Sequence, residues 1–260
     1  IRGAVISVPA HFDEVRRKAT MDAGTAVGLN VIAIVNEPVA AALYYATTRE
    51  VAGKVLVYDL GGGTFDVSIL KVENNNFTVR AVNGNHDLGG NDFDAAVRDC
   101  ALDAFHQKTG CDLRKEDLGD PNVRKAMQML TSACERVKIE LSDAEEAYLD
   151  LPNFFQGKHL ETSISRRTFE GLIKEKIFQT KDLVLKTISE VTNDQGQPME
   201  VDDIDRLVLV GGSTKIPLVG RVLADTIKDP YVADNVDLVV SAGASIMAAN
   251  LYAVQEAGAL

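Results

Sequence analysis

Tyr58-Asp59-Leu60-Gly61-Gly62-Gly63-Thr64-Phe65-Asp66-Val67-Ser68 is the stretch on which the reading of this chain turns. Lys54-Val55-Leu56-Val57 precedes it and Ile69-Leu70-Lys71-Val72 follows, both mainly β-branched and aliphatic, so the pattern predicts strand, glycine turn, strand. Three successive glycines permit positive φ and a close approach of backbone to ligand. Their N–H groups can line an anion-binding nest. Asp59 and Asp66 bracket the turn, with the Thr64 hydroxyl between them. Backbone donors for phosphate, carboxylates for a hydrated Mg²⁺ and one hydroxyl together make a phosphate–metal site. No lysine follows the glycines and the next element is strand-like, which sets the turn apart from a Walker loop. A glycine hairpin with two solvated aspartates is the plainer alternative.

The chain of 260 residues is 46% hydrophobic and 25% charged, enough for one large domain or two lobes with a sizeable core. A net charge of −11 argues against a nucleic-acid or anionic-membrane partner. Cys100, Cys111 and Cys134 are odd in number and lack CxxC spacing, which suggests buried thiols in a reducing, cytoplasmic setting rather than a zinc or disulfide framework. No N-terminal signal is visible, and the uncharged stretch 238–254 reads as a closely packed helix rather than a membrane span.

In order, residues 3–8 read as a strand ended by Pro9. Asp13 then caps a helix with a stripe of Val15, Ala19, Ala23 and Ala26, closed by Gly28. A second apolar strand, 29–35, runs into Asn36-Glu37-Pro38, with Pro38 at a first helical position. This alternation implies a partly parallel sheet covered on both faces. Beyond the hairpin, Asn74-Asn75-Asn76 turns the chain into a strand over 77–82. Asn91 is expected to cap a helix with Phe93, Val97, Ala101, Ala104 and Phe105 inward, ending at Gly110. Asp120-Pro121 starts a long helix to about Leu141, with Met127, Leu130, Cys134, Val137 and Leu141 inward.

On the neighbouring face of that helix Glu135, Lys138, Ile139 and Ser142 recur at spacings of three and four. Periodicity alone favours an ordinary Glu–Lys surface face there. Residues 147–151 and 159–164 form a β pair across Gln156-Gly157, and Ser165 caps a helix bearing Phe169, Leu172, Ile173 and Ile177. A buried strand, 204–210, ends in Gly211-Gly212-Ser213-Thr214 before a helix opened by Pro217. That order suits nucleotide approach, and equally suits simple turn chemistry. Asp237 starts the small-residue helix 238–255, as its N-cap, a ligand or both.

Taken together, AVISVPAHFDEVRRKAT, VGLNVIAIVNEPVAAAL, VYDLGGGTFDVSIL, HDLGGNDFD, ACERVKIELS, SISRRTFEGL, LVLVGGSTKIP and NVDLVVSAGAS resemble, in order, the nucleotide-binding domain of the seventy-kilodalton heat-shock chaperones of the DnaK type. The resemblance implies an α/β protein of actin-like ATPase fold, with ribonuclease-H-like sheets flanked by helices. Residues 1–50 would be the remainder of a first lobe, 51–88 and 172–236 the base of a second, 89–171 its outer subdomain, and 237–260 a helix returning toward the first. ATP or ADP with Mg²⁺ is the implied cofactor. Asp59 and Glu37 fall near the Mg²⁺ shell and the attacking water, which Asp66 helps order. Gly61, Gly62, Gly63 and Thr64 lie against the β- and γ-phosphates. Gly90, Glu135, Lys138 and Ser142 fall on the adenosine side, with Gly211, Gly212, Ser213, Lys215 and Asp237 opposite. Pro9 and Arg17 match a relay between the cleft and a peptide-binding domain. The implied partners are unfolded polypeptides, a J-domain cochaperone and a nucleotide exchange factor on the second lobe, with no nucleic acid and no membrane.

Some positions depart from the family pattern. Lys215 replaces the arginine usual after GGST, and Ile139 stands where some branches carry arginine. Neither stacks on a base as a guanidinium does, at a cost of about 0.5–2 kcal/mol in adenine affinity. Asn235-Val236-Asp237-Leu238 replaces Asn-Pro-Asp-Glu. The family's first phosphate loop, catalytic lysine, peptide-binding β-domain and lid have no counterpart here. The expectation is therefore an ATPase in the intact protein, with feeble turnover by this chain alone. Two alternatives stand beside it: a sugar-type kinase of the same superfamily, and a non-catalytic nucleotide-gated interaction module.

Overall fold

The computed structural model describes residues 3–48, 52–74 and 76–256. The chain runs β1 (Ala4–Val8), α1 (Glu14–Ala26), β2 (Val31–Asn36), α2 (Glu37–Thr48), β3 (Gly53–Leu60), β4 (Phe65–Glu73) and β5 (Asn76–Asn85). There follow α3 (Gly90–Thr109), α4 (Pro121–Asp143), β6 (Glu146–Phe155), β7 (Lys158–Ser165), α5 (Arg166–Ser189), β8 (Arg206–Val210), α6 (Pro217–Thr226) and α7 (Val239–Glu256). β1 and β2 pair in parallel, β6 and β7 form a hairpin, and the central sheet has the order β5-β4-β3-β8. In that sheet β3–β4 and β4–β5 are antiparallel, while β8 joins β3 in parallel. This is the mixed α/β architecture read from the alternation of strand and helix patterns.

The hairpin β3–β4 is buried on both faces, and its period of two divides the molecule. Leu56, Tyr58 and Leu60 of β3, with Phe65, Val67 and Ile69 of β4, enter a large core closed by α3, α4 and α5. Val55 and Val57, with Leu70 and Val72, face a second core shared with Ala41, Ala42 and Tyr45 of α2 and Val239 of α7. Tyr58 and Phe65 pack with ring centroids 4.8 Å apart. The Tyr58 hydroxyl meets Thr180 Oγ1 of α5 at 2.7 Å, so the one polar atom of that ring is satisfied in the large core.

Local signals set most helix ends. Asp13 accepts from Arg16 N, Asp120 from Asn122 N with Pro121 behind it, and Ser165 from Thr168 N. Gln156 and Gly157 both take positive φ, 51° and 73°, the geometry of a two-residue hairpin between β6 and β7.

Two expectations are corrected, the inward stripe of α1 and the cap of α3. On α1, Val15, Ala19, Ala23 and Ala26 are all exposed, Val15 at 77%. The helix instead buries Gly24, where a Cβ would lie 2.7 Å from Ile6 Cδ1 and 2.9 Å from Val31 Cγ2. Close approach to the β1–β2 layer selects the residue without a side chain, so counting apolar residues points to the wrong face. α3 is not capped by Asn91: it begins at Gly90 behind Gly89, whose N–H donates to Asp92 Oδ2 at 2.9 Å. Leu172 is exposed, because the buried line of α5 follows the four-residue spacing of Phe169, Ile173 and Ile177. Asn75 of the expected turn and the expected boundary at residues 50 and 51 lie outside the described residues. Among the described residues no helix is long and apolar enough to cross a membrane, and Cys100, Cys111 and Cys134 are free thiols.

Candidate functional site

Asp59 and Asp66 are direct cross-strand partners. They continue the β3–β4 face that packs toward α2, and they emerge where that helix begins with Glu37. The three carboxylates line one cavity of about 10 Å³, with Pro9 and Ala10 following β1, and with Pro38, Val57, Ser68 and Val82. That is room for about one water. No lysine or arginine is among the lining residues. Burial, then the charges of Glu37 and Asp66, pushes Asp59 up to about 7. Burial and Asp66 raise Glu37. Burial also raises Asp66, against the opposing influence of His11, His86 and the Thr64 hydroxyl. His11 Nδ1 lies 3.7 Å from Asp66 Oδ1, and its ring sits 4.8 Å from that of His86.

Carboxylates raised by burial, and for Asp59 and Glu37 also by neighbouring negative charge, with no ammonium or guanidinium lining their cavity, are a donor set whose repulsion a divalent cation would relieve. Among the described residues no group of three His, Cys, Asp or Glu side chains is placed to ligate one ion directly. A cavity with room for about one water does not enclose a hydrated Mg²⁺, so these carboxylates would meet such an ion through a water rather than as direct ligands.

On the other side of the hairpin turn, three glycine-bearing turns interlock. Gly90 N donates to Gly61 O at 3.0 Å and Asn91 N to Gly62 O at 2.7 Å. The Ser213 hydroxyl donates to Gly61 O at 2.9 Å. A Cβ on Gly89 would come within 2.7 Å of the Gly62 carbonyl oxygen and of Gly63 N, so only glycine lets α3 start against the hairpin turn. Gly211 has φ +87°, and a Cβ there would meet Asp59 Oδ1 at 2.8 Å, so β8 needs glycine where it leaves the sheet. Gly61, Gly62 and Gly63 differ from the expectation: none takes a positive φ, and a Cβ on each would meet only ordinary contacts at 3.6–3.9 Å. Nothing inside the protein demands glycine at these three positions, and Gly62 and Gly63 are exposed. A side chain there would occupy the open face of the turn, the cradle that an approaching group would use.

Above these turns lies a groove of about 730 Å³. One wall is Glu135, Lys138, Ile139 and Ser142 of α4, the face read from helical spacing. The other is Gly212, Ser213, Lys215 and Asp237, and Gly62 reaches the floor between them. Lys215 Nζ and Asp237 Oδ2 pair at 2.5 Å, both about half exposed. Lys138 is engaged inside the protein, 2.9 Å from Asp94 Oδ1 and 3.3 Å from Gly90 O. The structure thus gathers Glu37, Asp59 and Asp66 in the cavity, and Gly62, Glu135, Lys138, Ser142, Gly212, Ser213, Lys215 and Asp237 along the groove. Gly61, Gly90 and Gly211 lie in the interlocked turns between them. Gly63 and Thr64 lie at the exposed tip of the hairpin, with the Thr64 hydroxyl bonded to Asp66. Arg17 donates through Nε to Phe12 O at 3.0 Å and also bonds the Asn36 side chain, beside the start of α2.

Sequence reasoning missed Asp94, buried on α3 as the partner of Lys138. It also missed His11, His86 and the segment holding Val232, Ala233 and Asp234 in the groove wall. For Asp94 a signal existed, since it falls on the inner side of an otherwise apolar helix stripe with Phe93 and Val97. For the others none did.

A sequence profile of the family described as "Hsp70 protein" matches residues 1–258. Over 253 residues the chain is 42% identical to "Chaperone protein dnaK1" of Parasynechococcus marenigrum (strain WH8102), covering 95% of this chain and 36% of that protein. It is also 42% identical over 253 residues to "Chaperone protein dnaK1" of Prochlorococcus marinus (strain MIT 9313), with the same 95% and 36% coverage. "Chaperone protein DnaK" of Trichormus variabilis is again 42% identical over 253 residues, 95% of this chain and 35% of that protein. The chain thus spans about a third of the length of these curated relatives.

Proposed function

Because the chain belongs to the Hsp70 family, we propose that it binds ATP or ADP with Mg²⁺ as the greater part of a chaperone's nucleotide-binding unit. In the whole protein, ATP hydrolysis would set the affinity for unfolded polypeptides. The observation that carries this reading is the placement of one hairpin. Its paired aspartates face a carboxylate cavity, and its glycine turn floors a groove lined by the helix face at Glu135, Lys138 and Ser142. The mixed sheet between helix layers is compatible with an actin-like ATPase fold. We assign residues 51–88 and 172–236 to the base of its second lobe, 89–171 to the outer subdomain, and 1–50 with 237–260 to the first-lobe side.

Glu37 and Asp59 would hold Mg²⁺ through its waters. The bound ion would neutralise charge on the phosphate oxygens. The N–H groups of Gly62 and Gly63 would face those oxygens without a side chain intervening. Asp66, steadied by the Thr64 hydroxyl, would accept a hydrogen bond from a water near the phosphate and so fix its direction. Glu135, Lys138 and Ser142 would hold the ribose, and Lys215 with Asp237 the base side, where an ammonium offers weaker stacking than a guanidinium. Unfolded polypeptides, a J-domain cochaperone and a nucleotide exchange factor are the partners this reading brings, in the cytoplasm.

Calorimetric titration with Mg²⁺-ADP tests the reading, with Asp237→Ala alongside. Saturable binding that weakens in the variant is the expected result. A cooperatively folded chain that binds no Mg²⁺-ADP would overturn it.

A further inference from the structure

Glu37 lines the carboxylate cavity, and residues 232–234 line the groove, so the two belong to different compartments of the proposed site. One side chain ties them. Tyr45 lies two turns along α2 from Glu37 and is buried. Its hydroxyl donates to the Leu209 carbonyl at 2.8 Å and accepts from the Ala233 N–H at 3.0 Å. Leu209 belongs to β8, just before the Gly211-Gly212 turn. Ala233 belongs to a segment laid along β8, where Tyr231 N donates to Leu207 O at 2.7 Å and Gly211 N to Val236 O at 3.3 Å.

A phenylalanine would fill the same space in this core. A hydroxyl at that depth is unfavourable unless it is bonded, and a tyrosine oxygen can donate and accept at once. Here it does both, to the backbones of the two segments that build the far side of the groove. The eight residues from Glu37 to Tyr45 span about 12 Å of helix, which moves as a unit. A small shift of α2 when Glu37 gains a partner therefore reaches Ala233 through one atom.

We propose that Tyr45 is a positioning residue that couples the two compartments: its hydroxyl sets the groove wall at residues 232–234 according to the position of the helix headed by Glu37. The inference rests on the nucleotide reading above. Coupled positions give non-additive losses, and independent ones give additive losses.

The test is a double-mutant cycle on Mg²⁺-ADP affinity of this chain with Tyr45→Phe, Glu37→Gln and both. Each single substitution is expected to weaken binding at least threefold. The double variant should be weaker than the worse single by less than twofold. Losses that multiply, or a Tyr45→Phe chain that binds as the parent does, would overturn the coupling while leaving the nucleotide reading intact. A parent chain that binds no Mg²⁺-ADP would overturn that reading, and the coupling with it. Should Tyr45→Phe fail to fold, hydrogen exchange on the parent decides. Mg²⁺-ADP is expected to slow the Ala233 amide at least tenfold, and Glu37→Gln to abolish the slowing. Slowing that survives Glu37→Gln would overturn the coupling.

Discussion

Asp59 is the residue whose chemistry is most altered by its surroundings. Its folded-state pKa of about 7 stands above the ordinary 3.8. Folding therefore takes up a proton between those values, and stability falls as pH rises through that window. Asp59→Asn removes this contribution. Its thermal midpoint is expected to decline less from pH 5 to pH 8 than the parent's, since of the cavity's three carboxylates only Glu37 and Asp66 remain raised, with a relative gain at pH 8 on the order of 2 kcal/mol. Parallel midpoint curves would contradict the assignment. Gly89 poses a steric question instead, because its φ is −172°, an extended conformation open to any residue. Gly89→Ala puts a methyl group against the Gly62 and Gly63 backbone, which cannot rotate away as a side chain can. A loss of about 1–3 kcal/mol in chemical denaturation is expected, together with weaker Mg²⁺-ADP binding.

Among the elements, α1 and α5 make opposite cases. Val15 projects from α1 into solvent, so Val15→Ser should change stability by less than about 0.5 kcal/mol. Ile177 of α5 is fully enclosed in the large core, so Ile177→Ala should cost about 2–5 kcal/mol. Urea unfolding of the two variants checks both, and a large loss at Val15 would return α1 to the face that apolar counting chose. The contrast also shows what was legible in the sequence. Strong periods read correctly: the β3–β4 hairpin, the inner stripe of α4 and its Glu135–Ser142 face all lie where spacing put them. α1 failed because its alanines carry little directional signal and its real contact is a glycine. The groove wall at Val232 and Ala233 was hidden because it depends on pairing with β8, a contact set by tertiary structure rather than local pattern. His11 and His86 reach Asp66 only once β1, β4 and the end of β5 are assembled.

For the whole molecule, charge sets a further expectation. With a net −11 and a carboxylate cavity that lacks a lysine or arginine in its lining, self-repulsion opposes the compact state. Raising NaCl from 10 to 150 mM shortens the Debye length from roughly 30 to 8 Å. The thermal midpoint should rise over that range, and a fall would mean that surface ion pairs outweigh repulsion.

The parallel seam between β3 and β8 has a kinetic consequence. Lys54 and Asp205, bonded at one end of that seam, are 151 residues apart in sequence. Hairpins form in microseconds, but a partner so distant must first close a long loop. On a ribosome at roughly 5–20 residues per second, β3 would wait about 10 seconds or more with one hydrogen-bonding edge open. That strand is apolar on both faces from Val55 to Tyr58 and free of proline, the profile of a strand that recruits strangers. During its own synthesis, this chain passes through a stage in which nothing in its own fold yet keeps that edge from a strand of another chain.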